Sequence, residues 1–216
     1  MAESTHVVPT EVKDAELIAA RRRQFTGVAL GLFQAQGFSR TTVREIARAV
    51  GVSVGLLYLY FGSKEDILAL ACHEFVERFT AAATALSDAS ASPARQLEQA
   101  FSLLIEVADQ ESNLHLVVYR EMPNLPRTVR RFITQQELDL VTHFKTILDR
   151  GVAEGCFRPH DTRLRAHSLV MLGHMWALKR WALRGTVTTA EYTKEQIDHC
   201  LHGIAAAPAA NETAEV

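Results

Sequence analysis

The chain lacks the features that would make it covalently stapled, membrane-spanning or catalytic. Its three cysteines, Cys72, Cys156 and Cys200, are odd in number and scattered, with no CxxC spacing. That argues against a disulfide framework or structural zinc site and makes reduced thiols the expectation. No run of eighteen apolar residues occurs anywhere, so no membrane span is expected. The opening MAESTHVVPTEVKDAE is polar and acidic. It has neither the basic start nor the apolar core of a signal peptide, which leaves the cytoplasm as the expected location. Gly-rich phosphate loops, GxSxG, HExxH and paired carboxylates are all missing, so no catalytic residues and no cofactor are expected. His199 and His202, three apart around Cys200, have a spacing a metal could use, but they read as surface residues and no metal site is assigned. Alternating strand patterns, Asn-Gly hairpins and fixed-period repeats are absent as well.

Helical periodicity fills the remaining space. A first helix is predicted from about Asp14 to Gln36, stopped by Gly37, followed by two short helices and a longer one from Ser63 to about Leu86. The small-residue stretch SDASASP, residues 87–93, breaks the pattern before a helix at 94–110. A short helix near 112–121, a two-proline interruption EMPNLP and a long helix from Arg127 to about Ala153 come next. The loop GCFRPHD leads to two closing helices at about 162–184 and 188–206. About nine helices with short connections predict an all-α fold. The ends, 1–11 and 207–216, have the composition of flexible tails.

Charge is distributed unevenly. The chain carries a net −2, yet residues 17–64 hold six arginines and Lys64 against the single acid Glu45, a local +6 that leaves −8 for the rest. A basic module joined to an acidic body fits a nucleic-acid reader.

That basic stretch contains a patterned motif. Thr42-Val43-Arg44-Glu45 fits a capping box, and Val43, Ile46, Ala47 and Val50 form one apolar stripe. Gly51 can end that helix in the left-handed conformation, and Ser53 can cap the next. Two short helices joined by a glycine turn make a helix-turn-helix, whose second helix enters the major groove of DNA. The whole segment GLFQAQGFSRTTVREIARAVGVSVGLLYLYFGSKEDIL, residues 31–68, resembles the DNA-binding domain of the TetR family of bacterial transcriptional regulators. The linked positions are Leu32-Phe33, Gly37-Phe38, TTVREIARAVGVS, LYLYF and SKEDIL.

The resemblance implies a helix-turn-helix domain over 14–75, with its motif at about 42–61, and an effector-binding and dimerisation domain over 76–206. It implies phosphate contacts from Thr42, Tyr58, Tyr60 and Lys64, and places Arg44, Ser53, Val54 and Gly55 at the groove. Hydroxyls, lysine and helix-start amides are apt phosphate partners, and Val54 can meet a thymine methyl. Because Val54, Leu56, Leu57 and Leu59 are apolar, Arg44 and the arm Arg21 to Arg23 are expected to carry more of the contact.

The segment RLRAHSLVMLGHMWALKRWALRG, residues 163–185, is apolar almost all round. With the last helix it is expected to form a homodimer interface using Trp176, Arg180 and Trp181, residue types that interfaces favour. Candidate effector-pocket residues are Phe101, Leu104, Ile105, Val118, Tyr119, Met122, Phe132, Phe144, Met171 and Met175. Arg120, Arg127, Arg130 and Arg131 flank the proline break and could grip an anion bidentately. The expected partners are double-stranded operator DNA, a second copy of the chain, and a small effector such as a fatty or aromatic acid or its coenzyme A thioester. An all-α ligand-binding or catalytic protein with a merely structural helix-turn-helix, and a regulator without an effector, remain the alternatives.

Overall fold

The computed structural model describes residues 15–86, 90–183 and 185–206. The expected flexible ends lie outside the described residues, as do residues 87–89 of the predicted break. Among the described residues are nine α-helices: α1 (Ala15–Gln36), α2 (Val43–Val50), α3 (Val54–Tyr58), α4 (Lys64–Leu86), α5 (Pro93–Gln110), α6 (Ser112–Glu121), α7 (Arg127–Ala153), α8 (Thr162–Leu183) and α9 (Thr189–Ile204). A single 3-10 turn, Met122–Asn124, joins α6 to α7. The all-α fold read from periodicity is the fold observed. No helix among the described residues is long and apolar enough to cross a membrane.

The head, α1 to α3 with the start of α4, closes around Phe25, Phe33, Ile46, Leu57 and Phe61. Its short helices persist because their ends are satisfied. Thr42 accepts the Glu45 amide while the Glu45 carboxylate accepts from the Thr42 backbone at 2.7 Å, so two otherwise orphaned donors are used. Gly51 ends α2 at φ +81°, and Gly37 ends α1 at φ +92°, conformations a Cβ disfavours. Ser53 then caps α3 by accepting from Leu56 N at 3.1 Å.

α4 runs unbroken from the head into the body, so the expected boundary at 75/76 falls inside a helix that both regions share. In the body α5 packs against α4, α7, α8 and α9, and α7 also packs against α4 and α8. Phe79, Phe101, Leu104 and Phe144 are wholly buried there. Gly173 lets α8 settle on α5: a Cβ on it would lie 2.9 Å from Leu104 Cδ2, a spacing that forces displacement in a close-packed core.

Of the expected interface residues, Trp176 docks within the chain, while Arg180 and Trp181 stay exposed on it. Trp176 is buried within the chain, its indole N–H donating to Asp109 at 2.9 Å and its ring lying 4.9 Å from that of Tyr192. Arg180 pairs with the same Asp109 at 3.2 Å. Both residues fasten α8 to α5, because a buried indole N–H needs an acceptor and a carboxylate needs a cation. Arg180 and Trp181 both face solvent, Trp181 at 74% exposed. The far end of α9 is tied to the α7–α8 loop by Arg158, whose backbone amide donates to Ile204 at 2.9 Å and whose side chain donates to Gly203.

Candidate DNA interface and effector cavity

At the tip of the head, Thr42, Arg44, Ser53, Gly55 and Tyr58 are exposed, and Val54 is half-buried. Tyr58 keeps 52% of its surface in solvent despite its size. Gly55 has no fold-imposed need to be glycine, since an added Cβ would meet nothing nearer than Ser53 Oγ at 4.0 Å. Its open backbone therefore suits close approach by another molecule. Leu57 is core at 1% exposed, while Leu56 and Leu59 are half-buried and pack on that core. The apolar residues of α3 thus turn inward and leave the small and hydroxylic ones outside.

Two expected phosphate contacts stand elsewhere. Tyr60 is only 4% exposed, and its ring meets Phe25 edge-on at 5.2 Å. Lys64 donates from Nζ to the carbonyls of Phe38, Ser39 and Thr41 at 2.7, 3.3 and 3.1 Å. All three of its N–H groups are thereby used, and the ammonium lies 4.5 Å from the Phe38 ring centre. Lys64 therefore anchors the loop before α2, a local role that the pattern SKEDIL could not reveal. Within the arm, Arg21 and Arg23 are exposed. Arg22 turns inward, donating to Tyr60 O at 3.2 Å.

In the body, a cavity of about 70 Å³ opens between four helices. α4 contributes Cys72, Phe75 and Val76, α6 contributes Leu114, His115, Val118 and Tyr119, α7 contributes Ile133, Gln136, Glu137 and Leu140, and α8 contributes His174. Of the expected pocket residues only Val118 and Tyr119 line it. Phe101, Leu104, Ile105 and Phe144 are wholly buried core, Phe132 lies beside the His73 ring, and Met122 belongs to a separate groove. Met171 and Met175 lie on the outer face of α8 at 48% and 37% exposed and outside the cavity lining, whereas Trp176 of the same helix is buried. The reason is angular: residues 171 and 175 share one stripe of α8, and 173, 174, 176 and 177 share the buried one.

The cavity wall is rich in titratable groups whose charged forms burial disfavours. His174 is pushed down to about 3, by burial first and by nearby His115 second. Burial also lowers His115 and raises Glu137 and Tyr119, while the Cys72 thiol is pushed up to about 12. Desolvation disfavours the charged form of each. Sequence reading missed the histidines and Glu137, whose only signal was a polar residue at helical spacing between apolar ones. Beside this cavity, an open groove of about 490 Å³ is lined by Met122, Arg127, Arg130, Arg131, Thr134 and Gln135. Arg120, the fourth expected anion contact, is drawn away. It pairs with buried Glu121 at 2.8 Å and donates to the Phe33 carbonyl of α1. Near the C-terminus, Cys200 is buried and His202 accompanies the Asp198 carbonyl at 2.7 Å. No group of three metal-ligating side chains occurs among the described residues.

Two capped surface helices on a head coupled to a cavity-bearing helical body define a DNA-binding protein of the regulatory class. Comparison with known proteins gives the family. The model for "Bacterial regulatory proteins, tetR family" matches residues 26–71, and that for "Tetracyclin repressor-like, C-terminal domain" matches 90–204. The chain belongs to the tetR family and is a helix-turn-helix transcriptional regulator. It is 31% identical over 192 residues to the HTH-type transcriptional regulator HbdR of Aromatoleum sp. (strain CIB), covering 89% of this chain and 84% of that protein. Among solved structures, the ketosteroid transcriptional regulator KstR2 of Mycobacterium tuberculosis aligns with a TM-score of 0.70 at 24% identity, covering 93% of this chain and all of that one. AibR, captured with isovaleryl coenzyme A and operator DNA, aligns with a TM-score of 0.69 at 20% identity over 83% of this chain and 97% of that one.

Proposed function

We propose that the chain is a homodimeric repressor that leaves a near-palindromic operator when a lipophilic anion enters its body. The effector class is a fatty or aromatic acid or its coenzyme A thioester. The observation that carries this reading is the Arg120 link. α6 walls the cavity with His115, Val118 and Tyr119 and ends on Arg120, whose guanidinium holds the Phe33 carbonyl near the end of α1. A ligand larger than about 70 Å³ displaces the cavity walls, and in this mechanism the displacement of α6 is passed to the head. Its differential affinity for the two arrangements sets how far DNA binding falls.

Operator contact comes from Thr42, Arg44, Ser53, Val54, Gly55 and Tyr58, with Lys64 and Tyr60 holding the frame behind them. Arg127, Arg130 and Arg131 are the partners for an anionic group outside the cavity. Support for a dimer comes from the outer face of α8, where Leu164, Met171 and Met175 expose apolar surface on one stripe, with Trp181 exposed near the helix end, an unusual display for a monomer. A two-fold dimer reads half-sites one helical turn, or a multiple of it, apart. The protein acts in the cytoplasm and without catalysis. AibR, a fold neighbour, is a precedent for acyl thioester and operator DNA meeting in one such complex.

The test is anisotropy of labelled DNA from upstream of the coding gene, titrated at several salt concentrations and then with a panel of acids and their coenzyme A thioesters. Salt-sensitive, sequence-preferring binding that one panel member reverses is the expected result. Binding without sequence preference sinks the regulator mechanism, and insensitivity to the whole panel sinks the effector class.

A further inference from the structure

The outward side of α3 carries an unusual set of groups for a helix that meets DNA. At the α-helical repeat, Val54, Gly55, Tyr58 and the capping Leu59 fall on one side of α3, and Leu56 and Leu57 fall on the other. Gly55 and Tyr58 are exposed, Val54 and Leu59 border them half-buried, and Leu57 faces the core. Ser53, at the start of the helix, already uses its hydroxyl oxygen to accept from the Leu56 amide at 3.1 Å. No charged or amide side chain occurs from Val52 to Gly62, yet those are the side chains that pair with base edges through two hydrogen bonds. The Tyr58 hydroxyl is therefore the one hydrogen-bonding side-chain group on the outward side of α3.

We infer that α3 reads its operator through methyl groups: the outward surfaces of Val54 and Leu59 pack on the C5 methyl of thymine, and 5-methylcytosine is accepted in its place. The inference rests on α3 being the helix that enters the operator's major groove. The thymine methyl is the apolar feature that a base pair presents there. A short branched side chain recognises it without stranding a hydrogen-bonding group of its own. Gly55, between the two, lacks a Cβ, and one placed there would meet nothing nearer than Ser53 Oγ at 4.0 Å. The backbone of α3 is thereby free to come close enough for short side chains to reach the bases. Tyr58, longer and 52% exposed, ends in a hydroxyl suited to a phosphate. Hydrogen-bonded base readout falls to residues outside α3, first to exposed Arg44 of α2, the helix packed on α3. Thymine and 5-methylcytosine present the same methyl, so cytosine methylation within the operator strengthens binding at the positions these side chains cover.

The test starts from an operator that the full chain selects out of a random double-stranded pool. Each thymine of a half-site, with its symmetry mate, is replaced by deoxyuridine, which removes only the methyl, and affinity is read by anisotropy at one salt concentration. At the positions facing Val54 and Leu59 the expected loss is about fourfold per methyl, and elsewhere there is none. There, a 5-methylcytosine–guanine pair is expected to bind about fourfold tighter than cytosine–guanine. Val54→Ala and Leu59→Ala, with folding checked by thermal melts, are each expected to bind thymine and deoxyuridine operators equally at the position the lost side chain covers. A deoxyuridine penalty that survives in both variants arises from duplex shape rather than contact and overturns the inference. The deoxyuridine and 5-methylcytosine arms use the native chain, so they decide the matter even if Leu59→Ala fails to fold. Sequence-preferring binding that is indifferent to every methyl overturns the inference while leaving the regulator mechanism standing. A pool in which no sequence is enriched sinks both.

Discussion

Thr42, Arg44, Ser53 and Tyr58 stand in solvent at the tip of the head, whereas His115 and His174 of the body are 6% and 7% exposed. Both sets belong to the surfaces proposed to take a partner, yet the physics differs. The head displays ordinary charged and hydroxylic groups where water already solvates them, so they attract phosphate without a large folding cost. The body withdraws its polar groups from water and must satisfy or neutralise each one. The head is therefore suited to a large charged partner, and the body to a small, mostly apolar one. A shared α4 and the Arg120 link make the two regions one mechanical unit rather than two beads.

The comparison is broken most severely through the cores. Phe144→Ala in the body and Phe25→Ala in the head are each expected to cost about 3–5 kcal/mol. If α4 and Arg120 couple the regions, urea unfolding followed by head and body probes gives coincident transitions in both variants. Separate transitions would divide the molecule into independent halves.

Next in size is the outer face of α8. Met175→Glu is expected to yield monomers in analytical ultracentrifugation. Operator affinity should fall roughly a hundredfold, because the second half-site contact ceases to be intramolecular. An intact dimer would show that this face lies outside the interface.

Within the head, Lys64→Met and Arg44→Ala should separate an anchor from a contact. The first orphans the carbonyls of Phe38, Ser39 and Thr41 and is expected to cost about 1–3 kcal/mol of stability. The second leaves stability unchanged but lowers the salt dependence of operator binding by about one phosphate contact. An unchanged salt slope in Arg44→Ala would remove that residue from the DNA face.

The gentlest effect is acid sensitivity of the body. Burial lowers both His115 and His174 below their ordinary range in the folded state, the latter to about 3. The unfolded chain therefore takes up protons first as pH drops below about 6.5. Stability from these groups is full above that pH and declines steadily as the pH falls towards 3. Half-buried Glu74 and Glu137, shifted upward by burial, act in the opposite sense. Urea denaturation at pH 7 and pH 5 should show the loss, and His174→Phe should flatten it. An equally steep profile in that variant would assign the effect elsewhere.

Much of the head was legible because its signals are local. Thr42 with Glu45, Gly51 at positive φ and Ser53 before α3 each act within four residues, which is the range over which capping and turn chemistry operates. Lys64 and Tyr60 escaped that reading because their partners are distant in sequence: Lys64 bonds carbonyls 23 to 26 residues away, and Tyr60 packs on Phe25. In the body the same limit mattered more. Apolar periodicity located α5 to α9, yet Phe101 and Leu104 became core, Met171 and Met175 became surface, and His115 met His174 across 59 positions.

The sequence by itself therefore determined the helices, their caps, the helix-turn-helix and the basic charge of the head, because propensity, periodicity and capping are set by near neighbours. Only the tertiary structure decided which side of each body helix turned inward. It also decided that Trp176 docks inside the chain while Trp181 stays out, and that two neutral histidines share a cavity. The reason is combinatorial: an amphipathic helix with apolar residues around most of its circumference can bury several faces, and the packing of four helices against one another selects one.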